Sequence, residues 1–281
     1  GITLDEYGNL YVADHGNSRV RQIQVVPDQL RFTIEMEDLA GNFISVDQTS
    51  DNSRITIDLE EPEILSSILV STNSNTSGQL LQLAKEGDNI SLTVVSVEAL
   101  KSINMTNVSG IQLSSNFQSS DNLTWSASLA VTSSVPEGSV SFQVEFKDLL
   151  GNAGNAVSAT TDSSGVRVDR TAPTVSLGSP SLSLTRTGPV TVTVSYTDAD
   201  NVTLSSDNVT VTATDNASAG SKTVSGSGSG SRTITLDNLT GDGTLAVTLV
   251  AGTALDNASN PAPAVGPGTS FTVDNTAPRA Y

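Results

Sequence analysis

Cysteine is missing from all 281 residues, and histidine occurs once, at His15. The first absence removes disulfides, thiolate catalysis and Cys-ligated zinc, and the second removes most imidazole chemistry. Aromatic side chains make up 4% of the chain and hydrophobic residues 36%, so each core must be thin and built from Val, Ile and Leu. Basic residues are scarce: 13 Lys and Arg stand against 30 Asp and Glu, for a formal charge of −17. A chain this acidic repels phosphate backbones, which argues against nucleic acid and anionic membrane surfaces as partners. No apolar run comes near the roughly 18 residues of a membrane helix, so no membrane insertion is expected, nor is a signal peptide expected at Gly1.

What is present is Ser, Thr, Asn and alternation. Hydroxyls on outward strand faces, with little Lys and much negative charge, suit a solvated extracellular or cell-surface β protein. The blander alternative is an acidic soluble protein of any compartment. Asn89-Ile-Ser-Leu-Thr-Val-Val-Ser-Val97 and Ser139-Val-Ser-Phe-Gln-Val-Glu-Phe-Lys147 read as half-buried strands, with Phe142, Val144 and Phe146 inward. Pro189–Tyr196 and Arg232–Leu236 repeat the pattern, and Leu245–Val250 is more continuously apolar. Trp125 is expected as a core anchor. Turn signals at short intervals complete an all-β pattern, with no convincing helical period after Ile64.

An internal repeat sets the expected boundaries. Val168-Asp169-Arg170-Thr171-Ala172-Pro173 recurs as Val273-Asp274-Asn275-Thr276-Ala277-Pro278, with a weaker copy at Ile57-Asp58-Leu59-Glu60-Glu61-Pro62. Upstream of each lies a strand and a turn: Asp38–Asn42, Asp148–Asn152 and Asp256–Asn260. The units are 63–173 and 174–278, an incomplete one at 27–62, a separate segment at 1–26, and a start or tail at 279–281. Strand-rich units of roughly 100 residues suit β-sandwiches.

Residues 63–173 resemble the bacterial immunoglobulin-like (Big-type) repeats found in tandem in adhesins and other surface proteins. The resemblance runs through Lys85–Leu92, Trp125, Pro136-Glu-Gly138, the Asp148–Asn152 turn and Val168–Pro173. Residues 174–278 resemble a more divergent copy. The resemblance implies an all-β fold of tandem immunoglobulin-like β-sandwiches with an incomplete N-terminal β segment. Residues 1–25 resemble part of an NHL β-propeller repeat, with Gly8-Asn9 as hairpin signal. A propeller needs about four to eight blades, so neither the propeller nor its recognition surface carries over.

Catalytic readings are weak. His15 follows Asp14, but adjacent strand residues point to opposite faces. Ser225-Gly-Ser-Gly-Ser-Gly-Ser231 lacks the Lys and following helix of a phosphate loop and reads as a flexible hairpin tip. Carboxylates carry more chemistry, because calcium takes six to eight oxygens and needs no His or Cys. In an immunoglobulin topology the loops between the second and third and between the last two strands lie where the chain enters the domain. The linker Asp169 is therefore expected near Asp198, Asp200, Asp256 and Asn257, a candidate calcium set. A weaker set at the upstream joint is Asp58 and Asp148, with Glu60, Glu61 and Glu98. The competing reading is that these Asp and Asn residues only shape turns. Ten Asn-x-Ser/Thr sequons occur, at Asn75, Asn89, Asn104, Asn107, Asn122, Asn201, Asn208, Asn216, Asn238 and Asn257, and among so many hydroxyls they carry little information.

The expected function is noncatalytic and structural: an extracellular stalk, adhesin segment or fibre subunit. Expected partners are adjacent immunoglobulin-like domains or neighbouring copies of the chain, and a surface receptor or glycan. Phe32, Ile34 and Met36 align with Phe142, Val144 and Phe146, so residues 27–62 supply only the last strands of a repeat. Completion by another subunit's strand would make a fibre. The rival readings are a glycan- or protein-binding module and an accessory region of a larger secreted enzyme.

Overall fold

The computed structural model describes residues 57–105 and 117–279, with 40–48, 50, 111 and 113, and the backbone of six short strands upstream. His15, Phe32, Asp38, Asn107 and the Asn9 hairpin tip lie outside the described residues. Contacts divide the chain into two compact units. One comprises residues 1–63, 96–103 and 145–156; the other comprises 64–95, 104–144 and 157–281.

In the first stretch, β1 (Ile2–Leu4), β2 (Leu10–Asp14) and β3 (Arg19–Ile23) form an antiparallel sheet. Next, β4 (Val25–Val26) pairs with β5 (Gln29–Leu30), and β6 (Ile34–Glu37) with β7 (Phe43–Val46).

The next repeat holds β8 (Ile64–Ser71), β9 (Leu81–Ala84), β10 (Asn89–Ser96), β11 (Leu100–Met105), β12 (Thr124–Ala130), β13 (Gly138–Ser139), β14 (Val144–Asp148) and β15 (Gly165–Val168). They lie in sheets of order β12-β10-β8, β13-β15-β9 and β11-β14. Alternation decides which side chains enter the core. Along β10, Ile90, Leu92 and Val94 are fully buried while Ser91, Thr93 and Val95 stay half-exposed. Phe142, Val144 and Phe146 point inward as the alternation predicts. Trp125 departs from expectation. It sits half-buried on the edge strand β12, whose one buried side chain is Ala127, and its indole N–H donates to Asn122 O at 3.1 Å.

The last repeat holds β16 (Thr174–Leu177), β17 (Leu184–Thr185), β18 (Val190–Thr197), β19 (Asn201–Val202), β20 (Val209–Ala213), β21 (Ser218–Ser225), β22 (Ser231–Thr240), β23 (Gly243–Leu249), β24 (Ala254–Leu255) and β25 (Phe271–Val273). Two four-stranded sheets form, β16-β18-β22-β21 and β17-β25-β23-β20. The opening segment is shared between them: β16 pairs antiparallel with β18, and β17 runs parallel to β25. That division gives the sandwich its immunoglobulin-like order. One core joins the sheets, built from Val190, Val192, Val194, Ile234, Leu236, Leu245, Leu249 and Phe271 among others. Each such side chain contributes about 1.5–3 kcal/mol on burial. The glycine-rich stretch between β21 and β22 is a hairpin tip, and Arg232 pins it by donating to Gly228 O at 2.7 Å. Among the described residues, helix is limited to two single 3-10 turns, Ser74–Thr76 and Ser206–Asn208. No described helix is long and apolar enough to cross a membrane.

Candidate functional site

The chemistry of this chain concentrates where linkers meet turns. Each linker begins with an aspartate whose carboxylate accepts the backbone N–H two residues on. Asp58 accepts from Glu60 at 3.0 Å, Asp169 from Thr171 at 3.2 Å, and Asp274 from Thr276 at 3.0 Å. This is the Asx turn that a short acidic side chain offers the backbone. Two linkers are also gripped by an acid of the repeat they leave. Glu137 Oε1 accepts from Arg170 N at 3.0 Å and Thr171 Oγ1 at 2.7 Å. Asp242 accepts from Asn275 N at 2.6 Å and Thr276 Oγ1 at 2.8 Å.

The turns of the following repeats reach the same linkers. Asp148 is buried, and its Oδ1 accepts from the backbone N–H groups of Leu150, Gly151 and Asn152 at 2.9, 2.5 and 2.8 Å. Burial works to raise its pKa, yet the donors of Asn152, Gly151 and Leu150 outweigh it and hold the carboxyl below its ordinary value. Asn152 Nδ2 donates to Asp148 Oδ2 at 2.7 Å and to Asp58 O at 3.0 Å. In the last repeat, Asp256 Oδ1 accepts from Asn260 N at 2.7 Å. Asn260 Nδ2 donates to Asp256 Oδ2 at 2.9 Å and to Asp169 O at 3.0 Å.

The expected carboxylate sets fare differently. Oxygens of Asp58, Glu98 and Asp148 lie within 4.8 Å of one another, the one such group of three among the described residues. Burial pushes the Glu98 carboxyl up, and the charges of Asp58, Asp148 and Glu60 push it further. Among the described residues Asp169, Asp198, Asp200 and Asp256 form no such group, and the Asn257 carbonyl accepts from Asn75 Nδ2. Asp256 is occupied by its own turn, Asp198 is exposed on a left-handed turn residue with φ 61°, and Asp200 is exposed with its N–H on Leu255 O at 2.8 Å. Asp169 and Asp256 remain neighbours. Burial raises the Asp169 carboxyl first, the Thr171 N–H opposes that, and the Asp256 and Glu137 charges add to the rise.

Several joint residues escaped the sequence reading. Asn73 is buried, and its Nδ2 donates to Asp88 Oδ2 at 3.1 Å and to Ala258 O at 2.8 Å. Asn75 Nδ2 donates to Asn257 O at 2.6 Å. Glu137, Asp242, Asn152 and Asn260 belong with them. The signal for the last two was visible, since each of the three repeated turns closes on Asn four residues after Asp.

No family model matches the chain, and no curated protein matches it. Among solved structures it is similar to an anomalous substructure of titin (A168169), at 13% identity over 76% of this chain and 97% of that one, with TM-score 0.27. The D00-D0 domain of intimin is 17% identical over 74% of this chain and all of that one, with TM-score 0.30. A Bacteroides ovatus mixed-linkage glucan utilization locus protein, SGBP-B, in complex with a mixed-linkage heptasaccharide, is 14% identical over 97% of this chain and 62% of that one, with TM-score 0.17. The sheet order of the last repeat, β16-β18-β22-β21 against β17-β25-β23-β20, is immunoglobulin-like.

Proposed function

We propose that this chain is a noncatalytic structural segment of an extracellular or cell-surface protein, a tandem immunoglobulin-like stalk, adhesin segment or fibre unit. One observation carries the reading: the linker Asp169–Pro173 is hydrogen-bonded to the sandwich it leaves, through Glu137, and to the sandwich it enters, through Asn260. A linker tied at both sides limits bending, which is what a spacer requires. Small-angle scattering of the full chain tests this. A single narrow inter-repeat distance is expected, and a freely jointed ensemble would overturn the stalk.

Calcium enters the same proposal at Asp58, Glu98 and Asp148. Carboxylates this close repel unless a cation or a proton sits among them. A ligand that binds only the folded form adds about 2.7 kcal/mol at a hundred times its dissociation constant. Calcium should therefore raise the melting temperature of the wild type but not of Glu98→Gln. Equal melting with calcium and with chelator would remove the cation from the proposal.

Self-association through the N-terminal segment completes it. The exposed Phe43 and Ile44 on β7 support strand addition by a neighbouring copy. Light scattering that shows a monomer at all concentrations would leave the stalk without the fibre.

A further inference from the structure

Asn152 and Asn260 perform the same act at two places in the chain. A primary amide has two N–H groups, and here both are committed. One goes to the aspartate four residues earlier, Asp148 or Asp256, and fixes the side chain. The other crosses to a linker carbonyl, Asp58 O at a separation of 94 residues or Asp169 O at 91. Around the amide the backbone repeats as well. Asp148 N donates to Asn152 O at 3.1 Å and Asp256 N to Asn260 O at 3.3 Å. The linker residue it meets is also the same, an aspartate after Ile or Val in an Asx turn.

We infer that the Asp-x3-Asn turn is a receptor for the preceding repeat's linker. Its asparagine recognises the backbone carbonyl of the linker aspartate, and that contact fixes the joint through direct hydrogen bonds. The aspartate acts as a positioning residue that holds the amide. The ligand is an extended Ile/Val-Asp segment, and a third such segment exists at Val273-Asp274. It closes the same turn on Thr276, its Asp274 N donates to Thr185 O at 3.0 Å as Asp169 N does to Ala84 O at 2.8 Å, and Asp242 grips it as Glu137 grips the earlier linker. The partner this segment fits is another repeat of the same class carrying an Asp-x3-Asn turn.

The purpose assigned to the contact rests on the stalk reading, but its geometry does not. The test uses the full chain, whose lack of cysteine permits clean labelling of Ser128→Cys and Thr212→Cys, both exposed strand positions on successive sandwiches. Single-molecule energy transfer in chelator should give one narrow distribution for the parent. Asn260→Ala and Asn260→Asp should raise the population outside the main peak about fivefold, the factor that one net hydrogen bond supplies. Unchanged distributions in both variants would overturn the receptor and leave the stalk. A parent that is already broad would overturn the stalk. Exchange of the Asn260 side-chain protons in the unsubstituted chain decides the contact even if the variants fail to fold. Two slow protons uphold it, and one fast proton overturns it.

Discussion

Gly154 offers the sharpest test of packing at the upstream joint. It follows the Asp148–Asn152 turn, and its N–H donates to Phe146 O at 3.1 Å. A Cβ added there would lie 2.1 Å from Phe146 Cε2 and 2.6 Å from Pro62 O. Carbon atoms rest about 3.5 Å apart or more, so the ring would have to retreat by about 1.4 Å. Phe146 is buried and has little room, and the second obstacle is linker backbone, which cannot swing aside as a side-chain tip can. Overpacking of this kind costs about 1–3 kcal/mol, and the smaller unfolded-state entropy of Ala returns about 0.4–1 kcal/mol. Taking the middle of each range, a net loss of about 1.3 kcal/mol remains for Gly154→Ala, or a fall of about 5–10 °C in a domain near 100 residues. Gly165→Ala is the control. Its nearest neighbour would be Leu81 Cδ1 at 3.6 Å, ordinary contact, so its effect should stay within about 0.5 kcal/mol. Calorimetry of the full chain reads both. If Gly154→Ala melts with or above the parent, the close approach of Gly154 to Phe146 and Pro62 is wrong.

Other outcomes follow from the same contacts. Phe271→Ala should cost about 3–5 kcal/mol in denaturant unfolding, confined to the transition of the last sandwich, because it empties the centre of that core. Asn73→Ala removes a buried amide that ties Asp88 to Ala258, and should cost about 1–3 kcal/mol and separate the unfolding transitions of the two repeats. Glu98 carries a raised folded pKa, so its contribution to stability is present below its unfolded value and lost as pH rises through the folded one; melting against pH in chelator should show Glu98→Gln losing less stability on that rise. Glu137 runs the other way: the Thr171 hydroxyl first, then the Arg170 N–H, lower its pKa, so its grip holds above the unfolded value and fails as pH falls through the folded one, which exchange of the Arg170 backbone amide will report.

Period-two alternation made most of the fold legible. Ile90, Leu92 and Val94, or Val190, Val192 and Val194, name their inward faces without any tertiary information. Trp125 did not, because alternation states which face a side chain takes but not whether its strand lies at an edge. The joints were legible in part. The recurrence of Asp148 and Asp256 before Gly- and Asn-rich turns marked two turns whose asparagines reach Asp58 O and Asp169 O, and the acids Asp58 and Asp148 lie together with Glu98. The linkers are held by the amides of Asn152 and Asn260 and by the carboxylates of Glu137 and Asp242, four side chains to which the sequence reading gave no such part. Asn73 and Asn75 reach Ala258 and Asn257 across separations of 185 and 182 residues, and no local pattern encodes pairings of that range.

The parallel pairs at the edge of each sandwich bear on how the molecule answers force. β9 lies beside β15 over four register pairs, Leu81 to Ala84 against Gly165 to Val168, and β17 lies beside β25 over two, Leu184 and Thr185 against Thr272 and Val273. In each case a strand near the entrance of the repeat runs the same way as the strand at its exit. Tension applied through the two linkers therefore slides one strand along the other, and their hydrogen bonds share the strain together where a hairpin would open one bond at a time. Asp169 N on Ala84 O and Asp274 N on Thr185 O extend each seam by one further bond into the linker. The earlier repeat has the longer seam, so under rising tension the last repeat is expected to extend before it, an order that force spectroscopy of the full chain reads.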